Sequence, residues 1–448
     1  MARIILFWLL LIGSQSTDRL PQYVTDNIQK RVESGINPSI AIGILDEQGV
    51  QYYNFGTTHK QGPEVDEHTV YEIGSISKVF TGILLAQQVL EGQLSLNDPI
   101  NRYLPAEAQV PYMGTQELTL GSLSDHTSGL PRMPANFTPA NPFNPFADYT
   151  VEQLYSFIHN YEPIREVGAQ YEYSNLAQGL LGHILASTTG TSYEELVVQK
   201  IAGPLELVET RITLNKEMQE QLATGHNAGS EAQNWDIPTL AGAGAIRSST
   251  SDMLKFLSAN LGFTNSPLKE ALELSHKVRH DQAGEMRVGL GWHIKKGAEG
   301  DVVWHNGGTG GYRAFAGFVK ETGKAVVVLT NATISVDDIG FHLLDPSSKL
   351  NPIRNPDSTI SVAEDVLQEY VGTYQLTPDF TIVITRVGGQ LFGQATGQGK
   401  FELYAETPLK FYLTVVPAEI TFQIDGGKVE SLTLFQNGQQ LVGKRMVQ

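Results

Sequence analysis

The sequence predicts an α+β fold: an antiparallel sheet flanked by helices, with an all-helical region inserted between its first and last strands, and then a small all-β block. Three observations carry this expectation. β-rich runs stand at residues 39–56 and return in "GLGWHIKK", "DVVWHN", "YRAFAGFVK" and "KAVVVLTN". Between them, from residue 75 to residue 275, apolar residues recur mostly at helical spacing. Beyond a Pro/Asn/Ser-rich stretch the chain resumes as short strands about 8 to 12 residues apart, as in a small barrel or sandwich.

In chain order, residues 1–16 read as an export signal, with Arg3 giving a basic start to the apolar run "IILFWLLLIG". That run is too short for a bilayer span, which needs roughly 20 residues, so a secreted or periplasmic protein without a stable membrane span is expected. "SIAIGILDEQGVQYYNFG" reads as a hairpin turning at Asp46-Glu47-Gln48-Gly49. In "KVFTGILLAQQVLEGQLSL" Phe80, Ile83, Leu84 and Leu90 mark a helix that Gly92 can stop. A Glu-Thr-Gly turn joins the last two strands of the sheet. The expected organisation is a signal at 1–16, a main domain at 17–340, a linker at 341–361 and a β-domain at 362–448, in which "EYVGTYQL" opens the strands.

Composition removes several function classes. The chain has 448 residues, enough for two domains, and no cysteine, so disulfides, thiolate metal sites and thiol nucleophiles are excluded. Its net charge of −17 comes from scattered carboxylates, and no Lys/Arg cluster could track a phosphate backbone, which argues against nucleic acid. There is no Gly-x-Ser-x-Gly elbow, no His-Glu-x-x-His zinc pair and no dinucleotide fingerprint, and no cofactor or metal is implied. "GQQLVGKR" fails as a phosphate loop because Arg445 stands where Ser or Thr is required.

Ser-x-x-Lys occurs twice, and context separates the two. Ser75 follows a strand-like lead and opens a long helix, which places Ser75 and Lys78 on one face of its first turn. The helix start supplies N–H groups and partial positive charge that favour an alkoxide. Ser266 precedes Pro267 in a turn, with Lys269 pointing to solvent. A lysine acts as base only where burial disfavours its ammonium, so Lys78 is expected in a closed cleft. Tyr173-Ser174-Asn175 directly precedes a helix; Tyr173 can share protons with Ser75 and Lys78, and Asn175 can hold a substrate amide. In "VVWHNGGTGGYRAFAGF" a strand ends in His305-Asn306-Gly307-Gly308, where small residues admit a substrate backbone and the Gly308 N–H can join that of Ser75 in an oxyanion site, with Arg313 nearby.

The order Ser75-x-x-Lys78, Tyr173-x-Asn175, His305-x-Gly307 resembles the penicillin-recognising serine hydrolases: class C β-lactamases, D-Ala-D-Ala carboxypeptidases, family VIII esterases and D-amino-acid peptidases of the S12 type. "LTLGSLSDHTSGLPR" also looks like a segment common in that family, and the tail resembles a lipocalin-like domain that some members carry. The resemblance implies a β-lactamase/transpeptidase-like fold in which Ser75, Lys78, Tyr173 and His305 are catalytic. Asn175, Asn306, Gly307, Gly308 and Arg313 then bind a small-molecule, peptide or ester substrate. It allows self-association through the tail. Where class C β-lactamases carry Lys-Thr-Gly, this chain has His305-Asn306-Gly307, which replaces a fixed charge by one expected to titrate near roughly 6.5. An acyl-enzyme hydrolase follows, with an acylated but non-turning sensor as the alternative.

Overall fold

The computed structural model describes residues 20–446 except 112–116, 164, 228, 282–285, 354–358, 378–379, 397–398, 414–417 and 437–438; the expected export signal at 1–16 lies outside the described residues. Among the described residues no helix is long and apolar enough to cross a membrane. The helices that position the site are α1 (Gln22–Glu33), α2 (Ser77–Leu90), α3 (Leu120–Ser124), α4 (Asn175–Thr189), α5 (Thr250–Leu261) and α6 (Asp337–Leu344).

The hairpin forms where the alternation of turn and strand residues predicts it: β1 (Ser39–Asp46) and β2 (Gly49–Gly56) pair from Ser39↔Gly56 to Asp46↔Gly49. Six later strands complete an antiparallel sheet: β3 (His280–Asp281), β4 (Met286–Val288), β5 (His293–Lys296), β6 (Asp301–Gly308), β7 (Arg313–Val319) and β8 (Lys324–Thr330). Their order across the sheet is β2-β1-β8-β7-β6-β5-β4-β3, so the N-terminal hairpin closes onto the last strand through Ile40↔Thr330 to Leu45↔Ala325. The central strands read as nearly continuous apolar runs because both faces are covered. On one face Ile40, Ile42, Ile44, Val326 and Val328 pack with Val24 and Ile28 of α1 and Ile339 and Leu343 of α6. On the other, Ala41, Ala314, Ala316 and Leu329 meet Phe80, Ile83, Leu180, Met253 and Phe256 from α2, α4 and α5. Small residues on the second face let the helices come close to the strands, and Phe80 stacks on Phe256 at 4.4 Å.

Two local expectations need correction. Ser75 does not lie in the first α-helical turn but in a 3-10 turn, Gly74–Ile76, immediately before α2. Gly74 has φ +49°, and this left-handed residue turns the chain sharply out of the short strand Tyr71–Glu72. Further on, "EYVGTYQL" does not open as a strand: Glu364–Tyr370 is helix α7, and the first strand of the tail starts at Gly372. Also, α6 runs to Leu344 with Leu343 and Leu344 buried, because its apolar side covers the sheet.

The tail is a closed barrel of eight strands between Gly372 and Arg445, each antiparallel to the next, with Tyr374↔Arg445 closing first to last. Its interior is filled by its own side chains, including Tyr370, Tyr374, Ile384, Phe411, Phe422 and Leu432, a cluster separate from the two around the sheet. Tyr370 lies flat on Phe422 at 4.3 Å, so α7 acts as a plug on the barrel core.

Candidate active site

The Ser75 turn and β6 meet along a seam that only glycine permits. A Cβ on Gly307 would sit 1.9 Å from the Ile73 carbonyl oxygen and 3.1 Å from Ser75 N, and one on Gly74 would sit 2.7 Å from Gly308 N. The amides of Ser75 and Gly308 therefore lie on either side of one contact, with no side chain between them. Lys78, the second residue of α2, is 0% exposed. Its Nζ donates to the Ala243 carbonyl at 2.6 Å and lies 2.9 Å from Ser75 Oγ. Burial holds the Lys78 pKa well below that of an ordinary lysine, and the nearby Arg132 charge pushes it the same way, so both disfavour the ammonium form.

Tyr173 ends the stretch before α4, where Ser174 caps the helix by accepting from the Ala177 N–H at 2.9 Å. Its phenol is hydrogen-bonded to Ser75, and its ring centre is 4.8 Å from Lys78 Nζ. Burial raises the Tyr173 pKa to about 12, which the Ser75 hydrogen bond and Arg132 only partly offset. The resting phenol is protonated, which leaves the Lys78 amine, whose ammonium form burial disfavours, as the group suited to receive the Ser75 proton. Asn175 shares a small, partly open cleft with Ser75, Gly244, Gly308 and Thr309, walled by Phe146, Trp235 and Ile237. One wall is held by a buried ion pair: Glu72 accepts from Arg247 at 3.1 Å and from the Trp235 N–H at 2.9 Å.

The decoy serine behaves as a turn residue. Ser266 Oγ accepts from the Leu268 N–H at 3.2 Å, and Lys269 is exposed. The expected substrate contacts of Asn306 and Arg313 are not what the structure shows. Side chains alternate along β6, so His305 and Gly307 face the helices while Asn306 turns to the far face, where its Nδ2 donates to Asp337 of α6 at 2.6 Å. Arg313 also belongs to that far face: its guanidinium donates to the carbonyls of Thr309 and Tyr312 at 3.1 and 2.9 Å and lies in the field of Asp337. Arg313 braces the loop after Gly308 and Asn306 ties the end of β6 to α6; neither side chain faces Ser75.

His305 reaches the site but does not carry the titratable charge expected of it. Its ring is 1% exposed, stacks on His293 at 4.7 Å and lies 6.3 Å from the Tyr173 ring. Burial first, then His293 and Lys78, hold its pKa well below the ordinary range, which favours the neutral ring. The group that burial does bring to about 6 is Asp337, on the far face.

Sequence reasoning missed three residues here. His293, with its pKa lowered to about 4 by burial and Lys78, meets the Tyr171 hydroxyl at 3.0 Å. His126, from the flagged segment, lies 4.6 Å from the Tyr173 ring. Arg132, at the end of that segment, is exposed and places its guanidinium 5.0 Å over the same ring. Spacing gave no sign of them, because each reaches Tyr173 across the fold.

Comparison with known proteins agrees with this geometry. A family model described as beta-lactamase matches residues 24–341, and one described as a domain of unknown function, DUF3471, matches 356–445. A beta-lactamase of Pseudomonas fluorescens is 27% identical over 348 residues, covering 68% of this chain and 94% of that protein. The D-alanyl-D-alanine-carboxypeptidase/endopeptidase AmpH of Escherichia coli K12 is 26% identical over 333 residues, covering 69% and 84%. Among solved structures, a beta-lactamase/D-alanine carboxypeptidase from Pseudomonas syringae superposes with a TM-score of 0.65 at 23% identity, over 73% of this chain and 99% of that one. A class C beta lactamase from Rhodobacter sphaeroides gives 0.61 at 24% identity, over 70% and 95%. The matched family segment contains the Ser75 turn, the start of α4 and the end of β6, and the chain belongs to the beta-lactamase family of serine hydrolases.

Proposed function

We propose that Ser75 is the nucleophile of an acyl-enzyme mechanism acting on peptide, amide or ester bonds, with Lys78 as its base. The observation that carries this reading is the fully buried Lys78 amine, its ammonium form disfavoured by that burial, 2.9 Å from Ser75 Oγ. Ser75 Oγ bonds to the substrate carbonyl carbon as its proton passes to Lys78 Nζ. The N–H groups of Ser75 and Gly308 receive the oxyanion. Tyr173 delivers a proton to the departing nitrogen or oxygen and is reprotonated from Lys78. Water then cleaves the Ser75 ester and returns the proton to Ser75. Asn175 orients the substrate amide, and His305 packs the Lys78–Tyr173 pair as a neutral ring.

A D-amino-acid peptidase or esterase, whose substrate need not place a free carboxylate here, fits better than an avid β-lactamase. The end of β6 and the start of β7 offer no fixed cation toward the cleft for a lactam carboxylate, since burial disfavours a charged His305 and Arg313 faces away. The AmpH relative supports the peptidase side. We place the protein outside the cytoplasm on its basic, apolar first residues, and read the up-and-down barrel, with its side-chain-packed core, as a lipocalin-like domain.

The test is a product-resolved screen of purified protein against D-amino-acid peptides, short acyl esters and cephalosporins, with Ser75→Ala and Ser266→Ala beside it. Turnover and fluorophosphonate labelling are expected in wild type and Ser266→Ala and absent in Ser75→Ala. Labelling without product from any substrate class would favour an acylated sensor.

A further inference from the structure

His126 follows α3 in the flagged "SDHTSGLP" segment, and nothing in the proton-transfer scheme uses it. Its backbone is in the left-handed region at φ +61°, a conformation that costs a residue with a β-carbon roughly 1 to 2 kcal/mol and persists only where the surroundings enforce it. What enforces it is the segment carrying Tyr173. The Glu172 N–H donates to the His126 carbonyl at 2.8 Å, and the Ser174 N–H donates to His126 Nδ1 at 3.1 Å. One residue thus accepts from both amides flanking Tyr173, while its ring lies against the Tyr173 ring at 4.6 Å and 31°. Ser174 Oγ, in turn, donates to the Pro131 carbonyl at 2.7 Å, so the same segment grips Ser174 twice.

We propose that His126 is a positioning residue that clasps Tyr173 between two backbone hydrogen bonds and a ring contact, and so sets the phenol's place between Ser75 and Lys78. The inference rests on the proton-transfer role given to Tyr173 above. Accepting from a backbone N–H requires Nδ1 to be unprotonated, so the ring proton sits on Nε2, which is buried with no hydrogen-bond partner among the described residues. The surroundings favour that neutral state: His126 is 1% exposed, and burial, then Lys78, His293 and Arg132, all push its pKa down, with Tyr171 and Tyr173 as the rings around it. Adjacent Asp125 is engaged elsewhere, with Arg279 at 3.0 Å.

The test is a double-mutant cycle with Tyr173→Phe, read as kcat and KM on whichever substrate wild type turns over, or as the rate of Ser75 acylation by a fluorophosphonate. His126→Ala should lower kcat about 100-fold with KM within about twofold, as expected for a misplaced proton-transfer group. His126→Asn keeps an acceptor near the Nδ1 position and tolerates positive φ, so it should recover at least about tenfold of that loss. In the Tyr173→Phe background either substitution should cost less than about threefold, because the group being positioned is gone. Losses that multiply in the double variants, or a His126→Asn variant as impaired as His126→Ala with its fold intact, would overturn the proposal. Should His126→Ala fail to fold, the Asn cycle alone decides. A Tyr173→Phe variant with wild-type rates would instead sink the role of Tyr173, a separate failure.

Discussion

Arg132 reaches over the face of Tyr173 from solvent, and its fixed charge acts on two protons at once. A cation there disfavours the ammonium of Lys78 and favours the phenolate of Tyr173, and both effects point toward a more basic site at lower pH. Removing it raises both pKa values. Arg132→Met should therefore shift the acid limb of the kcat/KM profile to higher pH, with about a three- to tenfold loss near pH 6 that largely disappears near pH 9. Arg132→Lys should restore most of it. Because Arg132 is exposed, about 1 M salt, with a screening length of about 3 Å, should move wild type part of the way toward the Met variant. An unchanged pH profile in Arg132→Met would remove its charge from the mechanism. Asp337 makes a different prediction. If the tie of β6 to α6 through Asn306 and Asp337 matters, an inflection near pH 6 should vanish in Asp337→Asn and persist in His305→Gln.

Between elements, the critical contact is the seam of the Ser75 turn with β6. A methyl group on Gly307 would meet a backbone carbonyl at 1.9 Å, and backbone on both sides cannot yield as a side-chain end can. Gly307→Ala should thus part the Ser75 and Gly308 amides and cost about 100-fold or more in turnover, with roughly 1 to 3 kcal/mol of stability lost to overpacking. Normal acylation rates in a folded Gly307→Ala would show that the two amides do not act together. Legibility from sequence follows the same division. Strand runs and the α2 pattern were readable because apolar period reports burial directly, and the motif order placed Ser75, Lys78, Tyr173 and Asn175 around one cleft. Side-chain direction at the end of β6 was not readable: adjacent residues in a strand face opposite ways, so His305, Asn306 and Arg313 could not all serve the cleft. The 3-10 turn at Gly74 and helix α7 depended on tertiary contacts, with β6 in one case and the barrel core in the other.

For the molecule as a whole, burial of neutral histidines makes stability depend on acid. His126, His293 and His305 have folded pKa values below their unfolded value near 6.5, so the unfolded chain binds more protons as pH falls below that point. Their contribution is complete above about pH 6.5 and is lost as pH falls toward about 4, the value for His293, each group adding up to about 1.4 kcal/mol per pH unit. Thermal unfolding should show Tm dropping steeply over that interval, less so in His293→Phe; a flat Tm would contradict the burial. The barrel has its own core, so protein ending at residue 357 should fold and take up a fluorophosphonate at Ser75 at near the full-length rate, whereas failure of a folded truncation to react would give the barrel a direct part in the site. The pairing of β1 with β8 has a consequence for biogenesis. Ile40 must find Thr330, and the Ser75 turn must find Gly307, across most of the chain. Such distant partners make folding slow and leave the hydrolase without a finished sheet until its last strand has been synthesised. A chain still on the ribosome carries Ser75 and Lys78 without the strand that completes their site, and so is inert until that strand has joined the sheet.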